Sequence, residues 1–198
     1  MKTFWCAVII LLSDGQCLWA GGSEPNDPNN PSKLLQVTSD KVVAVLQNGS
    51  LDKTAKTKTL DEIISPFFDF ELMSKLSLGK ANWTKLSESE QRKFVELFTK
   101  LLKNTYLELL TLYKDEKLLL RPAHPQKNGV TIQMDVVSGD KKLAIVYKLR
   151  QLQNRWLAYD VEVEGVSILM TYKSQFDDIL KSGTVKDLFA SLEKKSTK

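Results

Sequence analysis

Beyond residue 20 the chain contains no cysteine. Cys6 and Cys17 both stand in the first twenty of 198 residues, so neither disulfides nor thiolate clusters hold the rest together. There is one histidine, His124, in a loop sequence between Pro122 and Pro125. A lone His without thiolates argues against zinc and iron–sulfur centres. A Ser-His-Asp or Cys-His nucleophile would have to run through His124 alone, and its setting reads as an exposed loop. Phosphate-cradling glycine loops, a G-x-S-x-G elbow and an H-E-x-x-H helix are all absent. Arginine is scarce, since 24 of the 28 basic residues are lysine, and they are scattered. Clustered arginine interleaved with aromatics, the footprint of a nucleic-acid reader, is missing; a mild attraction to anionic lipid headgroups stays open. Extreme composition is missing too. With 42% hydrophobic and 26% charged residues, the chain is neither disordered, collagen-like nor a coiled coil.

A bilayer-spanning run is also lacking. The longest apolar stretch, residues 4–12, is nine residues, well short of the ~20 needed to cross. It follows Lys2 and precedes a polar segment and the small residue Ala20, which is the layout of a secretory signal peptide over residues 1–20. Cleavage is expected near Ala20 to Gly22. Lys2 and Asp14 leave together, so the mature net charge stays at +4. Residues 21–31, GGSEPNDPNNP, are a Pro/Gly-rich linker.

The chain beyond the linker has the order helices, strands, helices. Ser32 is placed to cap a first helix carrying Leu34, Leu35, Val42, Val45 and Leu46, stopped by Asn48-Gly49. Thr59-Leu-Asp-Glu62 reads as a capping box for a short second helix, broken at Pro66. Asp69 caps a third, ended by Gly79. Ser87-Glu-Ser-Glu90 is a capping box before the longest periodic segment, with Phe94, Phe98, Leu101, Leu102, Tyr106, Leu109 and Tyr113 at three-and-four spacing. About 25 residues of it make a helix on the order of 38 Å long. After Tyr113 the period becomes two. Val130, Ile132, Met134 and Val136 alternate with polar residues, as do Leu143, Ile145, Tyr147 and Leu149, and then Leu157, Tyr159, Val161 and Val163. Turns fall at Ser138-Gly-Asp140 and Gln153-Asn154. Residues 118–120 add an edge strand. Asp160, Glu162 and Glu164 share a strand face that reads as solvated, because buried like charges would repel. The tail returns to helix through Phe176, Ile179 and Leu180, then through a third box, Thr184-Val-Lys-Asp187. The expectation is one α+β domain over residues 32–195: a curved antiparallel meander with a long helix and several shorter ones on its apolar face.

Several segments carry a family resemblance. Phe68-Asp-Phe70 with Met73, Leu78-Gly79 and Trp83, then Ser89-Glu-Gln-Arg-Lys-Phe94 with Phe98, Leu101-Leu102 and Thr105-Tyr106, resemble the MlaC family. So do Trp156-Leu-Ala-Tyr-Asp160, Glu164-Gly-Val-Ser167 and Tyr172-Lys-Ser-Gln-Phe176. The likeness is collinear over nearly the whole mature chain. Two departures stand out. Three residues separate Gly79 from Trp83 where two are usual, and Lys173 replaces an arginine, which removes any bidentate phosphate contact there.

The resemblance implies a periplasmic phospholipid-binding protein without cofactor, its cargo a phospholipid, linked to outer-membrane maintenance and toluene tolerance. Its partners would be an outer-membrane lipoprotein–porin complex and an inner-membrane ABC transporter with its substrate-binding ring. A diacyl lipid exposes roughly 30 methylenes at about 0.8 kcal/mol each, so crossing water unaided costs on the order of 20 kcal/mol. A carrier needs a dry slot and no chemistry. Helical spacing aims Phe94, Phe98, Leu101, Leu102 and Tyr106 at such a slot. Strand parity adds Met134, Ile145, Tyr147, Tyr159, Val161 and Val163. The competing reading is a small-substrate enzyme in an α+β cone with Asp135, Tyr147 and Tyr159 as an acid–base set. By parity Asp135 faces outward and the tyrosines inward.

Overall fold

The computed structural model describes residues 30–111 and 116–196. The expected signal peptide, most of the linker and Tyr113 lie outside them. The helices are α1 (Pro31–Gln47), α2 (Lys53–Ile64), α3 (Phe70–Leu78), α4 (Lys80–Trp83), α5 (Glu88–Leu110), α6 (Ile168–Ser182) and α7 (Val185–Ser196). The strands are β1 (Lys117–Leu120), β2 (His124–Gln126), β3 (Gly129–Ser138), β4 (Lys141–Leu152), β5 (Arg155–Val163) and β6 (Val166–Ser167). They form one antiparallel sheet of order β1-β3-β4-β5-β6, with β2 also pairing with β3. The α+β meander expected from the change of period is therefore the fold.

Local chemistry sets most boundaries. The two reciprocal boxes form as the sequence suggests. At the start of α5 the Ser87 N–H donates to Glu90 at 2.8 Å and the Glu90 N–H to the Ser87 hydroxyl at 3.3 Å; at α7 Thr184 and Asp187 repeat the pattern. Asp69 caps α3 by accepting from Leu72 N–H, and Gly79 ends it at φ +75°. Two expected starts are corrected. Asn30, not Ser32, caps α1, accepting from Ser32 and Lys33 N–H, with Pro31 at the first helical position. Asp52 caps α2, so Thr59 lies mid-helix and its hydroxyl donates to the Ala55 carbonyl. A box motif inside a run of helix formers does not start a helix when a better cap precedes it. The tail helix also begins earlier than Phe176, at Ile168, capped by Ser167.

Tight turns close the meander. Gln153 and Asn154 (φ +48° and +61°) and Glu164 and Gly165 (φ +50° and +77°) take the left-handed conformations that two-residue hairpins need. The registers stack one apolar face in rows. Leu118, Val136 and Leu143 form one; Leu120, Met134, Ile145 and Val163 the next; Ile132, Tyr147 and Val161 the third.

Three apolar clusters form among the described residues. The largest joins α3, α5, α6 and α7 around Phe94, Phe98, Leu101, Tyr172 and Phe176. A second lies at one end of the sheet, with Leu35, Phe67, Ile132, Leu149 and Ala158. The third joins α1, α2 and α5 through Leu46, Leu60 and Leu107. No helix among the described residues is long and apolar enough to cross a membrane.

Candidate functional site: an apolar cavity between sheet and helices

The three clusters do not merge. Between them lies a cavity of about 630 Å³, within the range of small-molecule sites. The sheet supplies one wall through Met134, Val136, Ile145, Tyr147, Val161 and Val163; α1, α2, α5, the 3-10 turn at Ser65–Phe67 and the first turns of α3 and α6 supply the others. Leu109, Leu143 and Val166 line it and are exposed, marking where it opens, whereas Leu35, Phe67 and Met73 are buried in its depth.

Seven of the eleven sequence-derived slot residues line this space: Leu102, Tyr106, Met134, Ile145, Tyr147, Val161 and Val163. Four do not. Phe94, Phe98 and Leu101 belong to the helical cluster, where Phe98 meets Tyr172 at 5.1 Å and Phe176 at 5.5 Å between ring centroids, and Phe94 meets Phe176 at 5.5 Å. The N-terminal half of α5 packs on α6 and α7; only its C-terminal half reaches the cavity. Tyr159 is displaced by a β-bulge. Lys148 pairs with Asp160 but Leu149 with Ala158, so Tyr159 is the extra residue and the alternation breaks there. Ala158, not Tyr159, takes the inward place and is fully buried.

The solvated reading of Asp160 is overturned by the start of α6, which covers it on the outer sheet face opposite Lys148. Asp160 is only 4% exposed. It accepts from the Ser167 hydroxyl at 2.8 and 3.0 Å, from Val161 N–H at 2.9 Å and from Leu169 N–H at 3.4 Å, bracing the start of α6. Lys148 bridges it at 3.2 Å and also contacts Glu162. Glu164 remains exposed and accepts from Ala144 N–H at 2.5 Å.

Asp135, Tyr147 and Tyr159 do not converge. Asp135 lies on the outer sheet face, covered by polar side chains. Gln133 donates to it at 2.7 Å, Lys142 reaches it at 3.1 Å and Arg121 at 2.7 Å. The Gln133 hydrogen bond and then the two cations outweigh the upward pull of burial and hold its carboxyl down at about 2. Tyr147 faces the cavity, its ring edge-on to Phe67 at 6.1 Å, and burial pushes its phenol up to about 12. Tyr106 is likewise pushed to about 12 by burial and by the neighbouring Tyr172. Among the described residues no group of three His, Cys, Asp or Glu is arranged to hold a metal ion.

Sequence periodicity missed the contribution of α1 and of the segment leading into the first residue of α3. Leu35, Val42, Val43 and Leu46 line the cavity, as do Phe67, Phe68 and Phe70. The amphipathic spacing of α1 is visible in the sequence, but nothing local shows which layer its apolar stripe meets. Asp61 and Lys103, the two charged side chains in the lining, carry no sequence signal at all. Lys173 pairs with Asp177 one turn on and lies against Gly79, away from the lining.

The family model for MlaC protein matches residues 36–194. The intermembrane phospholipid transport system binding protein MlaC of Haemophilus influenzae is 22% identical over 179 residues, covering 85% of this chain and 83% of that protein. Among solved structures, the phospholipid-binding protein of Ralstonia solanacearum, in complex with a phospholipid, superposes with a TM-score of 0.74 at 21% identity, over 84% of this chain and 96% of that one.

Proposed function

Because this chain belongs to the MlaC family, we propose that it holds the acyl chains of a phospholipid in the cavity between sheet and helices and carries that lipid across an aqueous compartment. It is a phospholipid-binding transport protein. The observation that carries this reading is the cavity itself: open to solvent, walled by apolar side chains from both layers, and not closed by the packing of the layers around it. Such a slot replaces membrane for the tails. It must recover most of the ~20 kcal/mol of tail transfer, or lipid stays in its bilayer, and must not exceed it greatly, or cargo never leaves. Release then follows docking to a partner that binds an opened state better. The endpoints are an outer-membrane lipoprotein–porin complex and an inner-membrane ABC transporter with its substrate-binding ring. The compartment is the periplasm, reached through the signal peptide at residues 1–20, with residues 21–31 as a linker to a single lipid-binding domain over residues 32–195. The protein hands lipid on unaltered.

Native mass spectrometry of protein purified from periplasm, followed by lipid extraction, tests this. Intact phospholipid is expected on a chain whose N-terminus lies near residue 21. A lipid-free protein that also takes no labelled phospholipid from liposomes contradicts the reading. So does accumulation of lyso-lipid or free fatty acid with time, which would make the protein an enzyme.

A further inference from the structure

In a lining otherwise built, among the described residues, from apolar side chains, hydroxyls and the phenols of Tyr106 and Tyr147, one ion pair stands out. Lys103 on α5 and Asp61 on α2 approach to 2.8 Å. Both are partly exposed, with 29% of the lysine side chain and 39% of the aspartate accessible. Ser65 also contacts the Asp61 carboxylate, and the Lys103 ammonium sits 5.6 Å over the Phe70 ring. Burial opposes ionisation of Asp61, but Lys103 and Ser65 hold its carboxyl below the ordinary range.

Resting on the lipid-carrier reading above, we infer that the Asp61–Lys103 pair is a headgroup subsite selecting phospholipids that carry a primary ammonium, as in phosphatidylethanolamine. The pair has spare capacity of both kinds. An ammonium has three donors and a carboxylate about four acceptor positions. With Asp61 engaged by Ser65 and Lys103, lone pairs remain for a second cation, and Lys103 retains N–H groups for a phosphate oxygen. A phosphoethanolamine group presents both complements on one short arm, so the site and its ligand form an alternating set of four charges whose sum is zero. A phosphatidylglycerol headgroup brings a phosphate without a cation, and the Asp61 charge then opposes it. A choline cannot donate a hydrogen bond to Asp61, and the single Phe70 ring is no aromatic cage. Charge-assisted hydrogen bonds at a partly solvated site support a preference on the order of fivefold.

The full chain, freed of lipid and refolded, is incubated with vesicles of phosphatidylethanolamine, phosphatidylglycerol and phosphatidylcholine in equal parts, and bound lipid is quantified by mass spectrometry. The wild type is expected to be enriched about fivefold in phosphatidylethanolamine over each competitor. Asp61→Asn, which keeps shape and the Ser65 contact, is expected to lose that enrichment and gain phosphatidylglycerol. Lys103→Met, which keeps the stem over Phe70, removes the phosphate partner but leaves the Asp61 carboxylate, so the discrimination against phosphatidylglycerol is expected to persist. Wild-type lipid that mirrors the vesicle composition overturns the subsite but leaves the carrier reading intact. So does an enrichment that survives in Asp61→Asn. Failure of the wild type to load any of the three lipids overturns the carrier reading, and the subsite with it.

Discussion

Arg150 on β4 donates through Nε to the Asp69 carboxylate at 2.7 Å, tying the cap of α3 to the sheet. Asp69 is 6% exposed, and its own N–H donates to the Ala158 carbonyl at 2.8 Å beside the Phe68–Ala158 bridge. The pair thus joins the helical layer to the strands where Phe67 and Phe68 turn into the cavity. Truncating one partner leaves the other charge without its counterion. Arg150→Ala is expected to cost about 2–4 kcal/mol, the lower part of the range for broken buried pairs because Arg150 is partly solvated. Urea unfolding measures it; a loss under about 1 kcal/mol would contradict the assignment.

Cavity and core positions should separate under mutation. Ile145→Glu puts a carboxylate into the lining, where a bound tail would have to desolvate it; lipid loading is expected to fall more than tenfold with the fold retained. Phe98→Ala removes a ring from the helical cluster and is expected to cost about 3–5 kcal/mol, yet the folded fraction should still load lipid. Thermal melts and lipid-to-protein ratios on the same samples decide the matter. The reverse pattern would mean that the slot lies in the helical layer.

Asp135 makes stability depend on acid pH. Its carboxyl is held at about 2 in the folded protein against 3.8 when unperturbed. A depressed folded value means that the unfolded chain takes up the proton first. The contribution is therefore complete above about pH 4 and is lost as pH falls towards 2. Wild type should exceed Asp135→Asn in urea midpoint at pH 6, and the gap should narrow across that window. A gap independent of pH would show that the ion cluster contributes nothing through charge.

Gly129 opens β3 at φ +156°, and a Cβ there would sit 2.0 Å from the Leu149 carbonyl oxygen. Backbone must move to admit it, so Gly129→Ala is expected to destabilise by at least about 1–3 kcal/mol. Gly139, at φ +57°, has nothing within 4 Å of its would-be Cβ, and Gly139→Asn should cost little because Asn tolerates that conformation. Differential scanning calorimetry of the two variants provides the comparison; equal losses would contradict the clash.

Periodicity and capping chemistry by themselves determined the element order, the meander and much of the sheet's inward face. Those signals are local: a side chain three or four residues on shares a helix face, and one two residues on shares a strand face. The MlaC resemblance was legible for the same reason, since its motifs are largely the fold's fasteners. Asp69 meets Arg150, Asp160 meets Ser167, and Tyr172 and Phe176 pack on Phe98. Only the tertiary structure decided which apolar residues close into core and which stay open as cavity. Phe98 and Tyr106 lie on one helix in one periodic stripe, yet the first is sealed by α6 while the second lines the cavity. Hydrophobic burial rewards both alike, and the difference comes from where a second layer ends. The bulge that displaced Tyr159 is likewise a property of two strands in register, and the Asp61–Lys103 pair exists because α2 and α5 pack together. Neither can be read along one segment of chain.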